Sequence, residues 1–341
     1  MRYFPGQLGR LVVAALVSCA AAGTVAATTA KKSDLKDTYK RPLTIPFAGV
    51  TAYSPQLATL GKMMFFDPRL SGAKNMNCAS CHNPSFGYEV PVKQAIGAAN
   101  TPLGRQAPTI LNMAWVSPHF WDGRAKTLEE QAAGPITAPV EMNGKFEEIV
   151  PTLEGIAHYK EWFEKLFPGK GVTKNTILTA IATYERTVVS GWSPFDRWVD
   201  GDEKAISEAA KKGFDLFTGT ARCSACHTGW NFTDNKFHDI GLETDDVGRA
   251  KLEPENPKAK YAFKTPGLRN TAYRAPFMHN GSLQTLEDVV VHYVGGGVER
   301  PSLSTEMEVI PLSAGDIKNL VEFLKTLTAE KQETAMPILP N

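Results

Sequence analysis

Apolar residues recur at helical spacing through most of the regular stretches of the chain, and alternating patterns are scarce. Leu60-Gly61-Lys62-Met63-Met64-Phe65 reads as an amphipathic opening helix entered at Ser54-Pro55, where proline suits the first turn. Lys212-Gly213-Phe214-Asp215-Leu216-Phe217 repeats that pattern later in the chain. Between them, Lys160 to Phe167 and Ile177 to Val188 carry helical periodicity, broken by Pro and Gly clusters. Near the end, Ser313-Ala314-Gly315-Asp316 is a capping-box-like start for a helix over Ile317 to Leu327. There Leu320, Phe323, Leu324 and Leu327 form one apolar stripe. The expectation is a mainly α protein with long loops and little strand.

At 341 residues the chain is long enough for two domains with their own cores. Lys and Arg (37) nearly balance Asp and Glu (36), which argues against a nucleic-acid partner and leaves recognition to local patches. Arg2 and Arg10, the apolar run Leu11 to Ala22 and Val25-Ala26-Ala27 read as an export signal over residues 1–27. The run is too short to stop in a membrane. Leu16-Val17-Ser18-Cys19 also fits a lipobox, so two periplasmic forms stay open, a soluble one and one lipid-anchored through Cys19.

The remaining cysteines fall in two pairs, each followed directly by histidine: Cys78-Ala79-Ser80-Cys81-His82 and Cys223-Ser224-Ala225-Cys226-His227. C-x-x-C-H attaches c-type haem, because two thiols add to the haem vinyls while the adjacent imidazole is placed to ligate iron. A disulfide within a pair would leave the following histidine unexplained, and a zinc site built from C-x-x-C pairs is disfavoured because both pairs carry the immediate histidine and the export signal leads to where cytochromes c mature. Two covalently bound haems follow, on His82 and His227. The repeated flanks suggest two cytochrome c-like domains, 28–200 and 201–341, with the C-terminal tail packing back on the first.

Further blocks occur in a fixed order. They include Ala107-Pro108-Thr109, Phe120-Trp121-Asp122-Gly123-Arg124, Leu128-Glu129-Glu130-Gln131-Ala132 and Pro139-Val140-Glu141-Met142. Thr265-Pro266-Gly267-Leu268-Arg269-Asn270, Pro276-Phe277-Met278-His279-Asn280-Gly281 and Thr285-Leu286-Glu287 follow. Over essentially the whole mature chain this resembles the bacterial di-haem cytochrome c peroxidase and MauG superfamily. The resemblance implies a peroxidatic haem on His82 and an electron-transfer haem on His227. Glu141 matches the distal acid that moves a proton between the two peroxide oxygens, a role worth about 10²- to 10⁴-fold. Gln131 is expected to hydrogen-bond a bound oxygen species and Pro135 to shape the pocket. Trp121 matches the tryptophan between the haems, an oxidisable relay through which both haems share oxidising equivalents.

Two departures from the family pattern bear on function. Family members that need reductive activation carry a blocking distal histidine after the proximal one, yet Asn83 to Pro118 contains no histidine. The resting His82 haem is therefore expected to be open, with His119 the nearest candidate blocker. The second haem usually takes a methionine as sixth ligand. That position falls on Tyr293, as in MauG, with Met278 and His292 as competitors. MauG oxidises a partner protein through a tryptophan at the position of Ala221, so Trp192, Trp198 or Trp230 would have to replace it. The resemblance also implies a calcium ion held by Gln106, Arg274 and Pro276, and a role for His279 beside the second haem. Hydrogen peroxide is the expected oxidant, with a small cytochrome c or cupredoxin as electron donor and homodimerisation common in the family. The alternatives are a MauG-like oxidase acting on a partner protein and a cytochrome that only transfers electrons.

Overall fold

The computed structural model describes residues 35–47, 53–331 and 333–341. The export segment and Cys19 lie outside them. In chain order the helices are α1 (Pro55–Phe66), α2 (Leu128–Thr137), α3 (Phe146–Glu154), α4 (Ala157–Leu166), α5 (Lys174–Thr187), α6 (Pro194–Val199), α7 (Glu208–Thr218), α8 (Leu286–Val294) and α9 (Ala314–Thr326). The strands β1 (Phe237–His238) and β2 (Phe263–Lys264) form one short antiparallel ribbon with Phe237 opposite Lys264. The architecture is mainly helical, as the periodicity predicted. Among the described residues no helix is long and apolar enough to cross a membrane.

Helix starts follow local chemistry. The Ser54 side chain accepts from the Leu57 N–H at 3.1 Å while Pro55 fills the first turn, so α1 begins where the sequence placed it. Reciprocal capping boxes open α5 at Thr173 and Thr176, and α9 at Ser313 and Asp316. The stripe of α9 is buried, with Leu320, Phe323, Leu324 and Leu327 facing inward.

Two helix crossings organise residues 39–341. α1 crosses α5 at Gly61, where a Cβ would lie 1.8 Å from the Ala180 carbonyl oxygen. α7 crosses α9 at Gly213, where a Cβ would lie 2.0 Å from the Asn319 oxygen. Backbones this close leave room for hydrogen alone, which explains the glycine in both opening helices. One turn after each glycine the same aromatic contact recurs: Phe65 with Tyr184 at 5.3 Å, and Phe217 with Phe323 at 5.0 Å. The crossings thus align Ala180 with Asn319, Tyr184 with Phe323 and Glu185 with Leu324.

Around the first crossing, Leu57, Leu60, Met64, Phe163, Ile177 and Ile181 make an aliphatic core. Around the second the core is aromatic, with Tyr39, Phe195, Phe214, Phe217, Phe232 and Phe323 in edge and stacked contacts. The tail returns to the N-terminal half, where Arg69 donates to the Pro340 carbonyl at 2.8 Å.

A second repeat runs through the loops. Asn112 and Asn270 both take left-handed backbone, at φ 63° and 58°, each ahead of a short 3₁₀ turn. His119 bridges Ala125 as Phe277 bridges Leu283, with Phe120 and Met278 both left-handed. Thr127 then caps α2 as Thr285 caps α8. In this register Trp121 matches His279 and Pro135 matches Tyr293.

Candidate functional site

Each C-x-x-C-H motif forms a single 3₁₀ turn, Cys78–Ser80 and Cys223–Ala225, that returns the histidine beside the cysteines. His82 N–H donates to the Cys78 carbonyl and His227 N–H to that of Cys223, both at 2.9 Å. The Asn77 amide ties the first turn to the end of α1 by donating to the Phe66 carbonyl at 2.8 Å. His82 Nδ1 lies 3.2 Å from the Tyr88 carbonyl oxygen and His227 Nδ1 lies 2.9 Å from that of Phe232. A ring that donates from Nδ1 keeps its Nε2 lone pair for a metal. Burial pushes both imidazoles down, towards the neutral form a ligand needs.

Each motif opens into its own cavity. The first, about 510 Å³, is lined by Cys78, Cys81 and His82, with Gln131, Pro135 and Glu141 also in its wall. The second, about 170 Å³, is lined by Cys223, Cys226 and His227 together with Met278, His279 and Tyr293. Ile110, Val116, Leu128 and Ile136 give the first an apolar lining, as Ile240, Leu286, Val290 and Leu320 do the second. Two thiols, one imidazole and apolar walls are the donor set and surroundings of a c-type haem. Among the described residues the grouped metal-ligating side chains are Cys226, Asp234 and His238, a set that includes neither motif histidine. That distribution does not fit the zinc alternative.

The cavities share a wall. Glu89, Gln106, Trp121, Lys264 and Arg274 line both. Trp121 is held there by its Nε1–H, which donates to the Gln106 carbonyl at 2.8 Å. Behind it, Arg274 Nε donates to the Glu89 carboxylate at 2.9 Å and the Thr109 N–H to the same oxygen at 3.0 Å. Both partners are buried, so removing either would strand a charge in the wall. Gln106, Arg274 and Pro276, the three expected around calcium, do meet here. The Gln106 Nε2 donates to the Pro276 carbonyl at 3.0 Å, so an amide nitrogen occupies the side from which calcium requires oxygen. An amide turned over would present that oxygen.

On the second cavity, Tyr293 projects from α8 into the haem space while His292 turns its Nε2 to the Ile240 carbonyl at 3.0 Å. Burial pushes the Tyr293 phenol up, so a phenolate there requires a neighbouring cation, which ligated iron would supply. His279 stacks on Phe263 at 3.6 Å and approaches Thr244 Oγ1 at 3.3 Å. Burial pulls its imidazole down to about 4.

On the first cavity the matching place on α2 is Pro135, a side chain with no donor atom. Glu141 follows α2, and burial pushes its carboxyl up while Arg124 pulls it part of the way back. Arg124 stacks on Phe120 at 3.4 Å and pairs with Asp122 at 3.0 Å, which fixes it near the acid. His119 also lines this cavity; its Nδ1 is buried without a hydrogen-bond partner. Burial, with Lys264 and Arg186 nearby, pulls its imidazole down to about 3. The sequence reading missed Arg124, the Glu89–Arg274 pair and Glu185, a buried residue of α5 that lines the first cavity. The alternative tryptophans separate clearly: Trp198 is buried beside Phe195 and Phe214, Trp192 is exposed, and Trp230 packs edge-on against Trp115 at 4.8 Å. Ala221 lines the second cavity.

Two C-x-x-C-H cavities with a shared wall define a di-haem c-type protein. The chain belongs to the di-haem cytochrome c peroxidase family, whose sequence profile matches residues 55–204. It is 44% identical over 331 residues to the methylamine utilization protein MauG of Methylorubrum extorquens, covering 96% of this chain and 94% of that protein. It is 36% identical over 300 residues to the cytochrome c551 peroxidase of Nitrosomonas europaea, covering 86% of each. Among solved structures, a MauG-like protein associated with microbial copper homeostasis superposes with a TM-score of 0.78 at 30% identity, covering 86% of this chain and 94% of that one. The diheme peroxidase BthA from Burkholderia thailandensis gives 0.74 at 26% identity, with 87% and 91% covered. The protein is a peroxidase-type oxidoreductase carrying two c-type haems, and hydrogen peroxide is its family substrate.

Proposed function

We propose that the enzyme reduces hydrogen peroxide in the His82 cavity directly from its ferric resting state, without a prior reductive opening. The observation that carries this is the contrast between two matched helices: α8 offers Tyr293 to one haem space, whereas α2 offers Pro135 to the other. A haem held by Cys78, Cys81 and His82 would supply an iron able to bind peroxide and pass electrons to it. Glu141, a carboxylate in the cavity wall whose acidity burial weakens, accepts a proton from one peroxide oxygen and returns it to the other. The Gln131 amide hydrogen-bonds the oxygen species, and Arg124 moderates the acidity of Glu141. Trp121, in the wall of both cavities, carries electrons from the His227 side. Mixing the fully ferric protein with stoichiometric peroxide should change its spectrum within the mixing experiment. Glu141→Gln should slow that change by about 10²- to 10⁴-fold. A ferric protein inert to peroxide until reduced would overturn the reading.

The reductant in this proposal is a small periplasmic cytochrome c or cupredoxin. A second reading, in which an aromatic residue on a partner protein supplies the electrons, is favoured by Tyr293 and by full-length similarity to a methylamine utilization protein MauG. Steady turnover with a reduced cytochrome or cupredoxin supports the first, and covalent oxidation of a partner supports the second. The same proposal includes export to the periplasm, the domain division 28–200 and 201–341, homodimerisation, and calcium bound by Gln106, Arg274 and Pro276.

A further inference from the structure

Each peroxide converted to two waters loses its O–O bond and consumes two electrons and two protons. Glu141 can shuttle a proton already on the peroxide, but the added protons must come from solvent into a cavity with mostly apolar walls. Glu185 is a further carboxyl in the wall of that cavity. It lies in the last turn of α5, lines the His82 cavity and is 4% exposed. Its Oε2 is buried without a hydrogen-bond partner. A buried unpaired carboxyl is costly and calls for a function or a bound partner.

The fold does not require an acid there. The two helix crossings superpose Ala180 on Asn319 and Tyr184 on Phe323, so the counterpart of Glu185 is Leu324, which lines the His227 cavity. One half places a hydrocarbon against its haem space and the other a carboxyl, and the carboxyl lies in the half that holds Gln131 and Glu141. We propose that Glu185 is the proton-delivery residue of the peroxide cavity. It gives the Oε2 proton, through water, to the oxygens being reduced and is reprotonated from solvent. This rests on the reading of the His82 cavity as the peroxide site.

The surroundings suit that role. Next along α5, Arg186 holds Glu129 of α2 through a two-pronged pair at 2.9 and 3.2 Å. The Glu129 side chain is 26% exposed, so solvent reaches this corner. The charged and titratable groups that act on Glu185 are Arg186 on its own helix and Glu129 on α2. Tyr184, also on α5, senses the Glu185 charge in turn. Burial dominates, with Glu129 adding to it and Arg186 opposing, and the carboxyl is pushed up to about 8. It therefore holds a proton at neutral pH while remaining able to release it.

The test uses the haem-loaded protein with Glu185→Gln and Glu185→Asp. Glu185→Gln should lower kcat for peroxide reduction by about 10-fold or more while leaving KM for the electron donor unchanged. The pH profile should flatten across the range where Glu185 titrates, and Glu185→Asp should restore most of both. In infrared difference spectra, the C=O band of a protonated carboxyl should respond to peroxide in the wild type and vanish in Glu185→Gln. A Glu185→Gln enzyme with the wild-type rate and pH profile, or one that keeps the responsive band, would overturn the proposal. If Glu185→Gln fails to take up haem, the wild-type spectra decide, since a peroxide-responsive carboxyl band that shifts in Glu185→Asp supports it and no such band refutes it. Stoichiometric reaction of the ferric wild type with peroxide tests the site reading separately, and can succeed while Glu185 fails.

Discussion

At the scale of single residues, the chemistry depends on which buried groups carry a proton. Glu141 and Glu185 are both pushed up by burial and both opposed by an arginine, Arg124 at Glu141 and Arg186 at Glu185, where Glu129 adds a smaller upward push. Glu185 also makes stability depend on pH. Its folded value, about 8, exceeds the ordinary 4.5, so the protonated form favoured by the fold contributes fully below 4.5 and its contribution is lost as pH rises through 8. Glu185→Gln removes that loss. The melting temperature of the variant relative to wild type should therefore increase between acid and alkaline pH, and a constant difference would contradict the assignment. Cysteine and histidine spacing pointed to the two haems that the family carries, and the motif blocks named Gln131, Pro135 and Glu141, which the fold brings into the wall of one cavity. Glu185, on a helix, and Glu89, in a loop, could not be read that way, because a lone acid gives no sign in sequence of whether its partner is water, an arginine or nothing. Glu89 proves to be paired with Arg274 and Glu185 proves to have an unpaired oxygen.

At the scale of elements, the repeat is more complete than the two motifs suggested. The sequence reading matched only the helices ahead of the cysteines. The loop from Gln106 to α2 and the loop from Lys264 to α8 also share backbone turns at Asn112 and Asn270 and caps at Thr127 and Thr285. Pro108, Asn112, Pro118, Gly123 and Thr127-Leu128-Glu129 are identical to their counterparts Pro266, Asn270, Pro276, Gly281 and Thr285-Leu286-Glu287, so the match was present in the sequence but lies outside the two cysteine motifs that drew the eye. It yields a direct prediction: Pro135→Tyr places a phenol where the twin helix carries Tyr293. The His82 haem should then shift from high-spin to low-spin in its absorption spectrum, with loss of peroxide reactivity; an unchanged high-spin spectrum would show that the two helices are not equivalent at this position. The crossings make a second one. Gly61→Ala and Gly213→Ala each force a methyl against backbone and should destabilise the fold by about 1–3 kcal/mol in denaturant titrations. Wild-type midpoints in both would contradict the close approach.

Across the whole molecule, two similar haem frameworks face a common wall and differ in what stands on it. The buried Glu89–Arg274 pair, Gln106 and Trp121 fix that wall, and Trp121 touches both cavities. The resulting division of labour, an open site and a closed relay, is the central claim. An electron paramagnetic resonance spectrum of the ferric haem-loaded protein, with Tyr293→Phe beside it, tests it most directly. One high-spin signal unchanged by the substitution and one low-spin signal altered by it are predicted. Two low-spin signals in the wild type, or a low-spin signal indifferent to Tyr293→Phe, would contradict it.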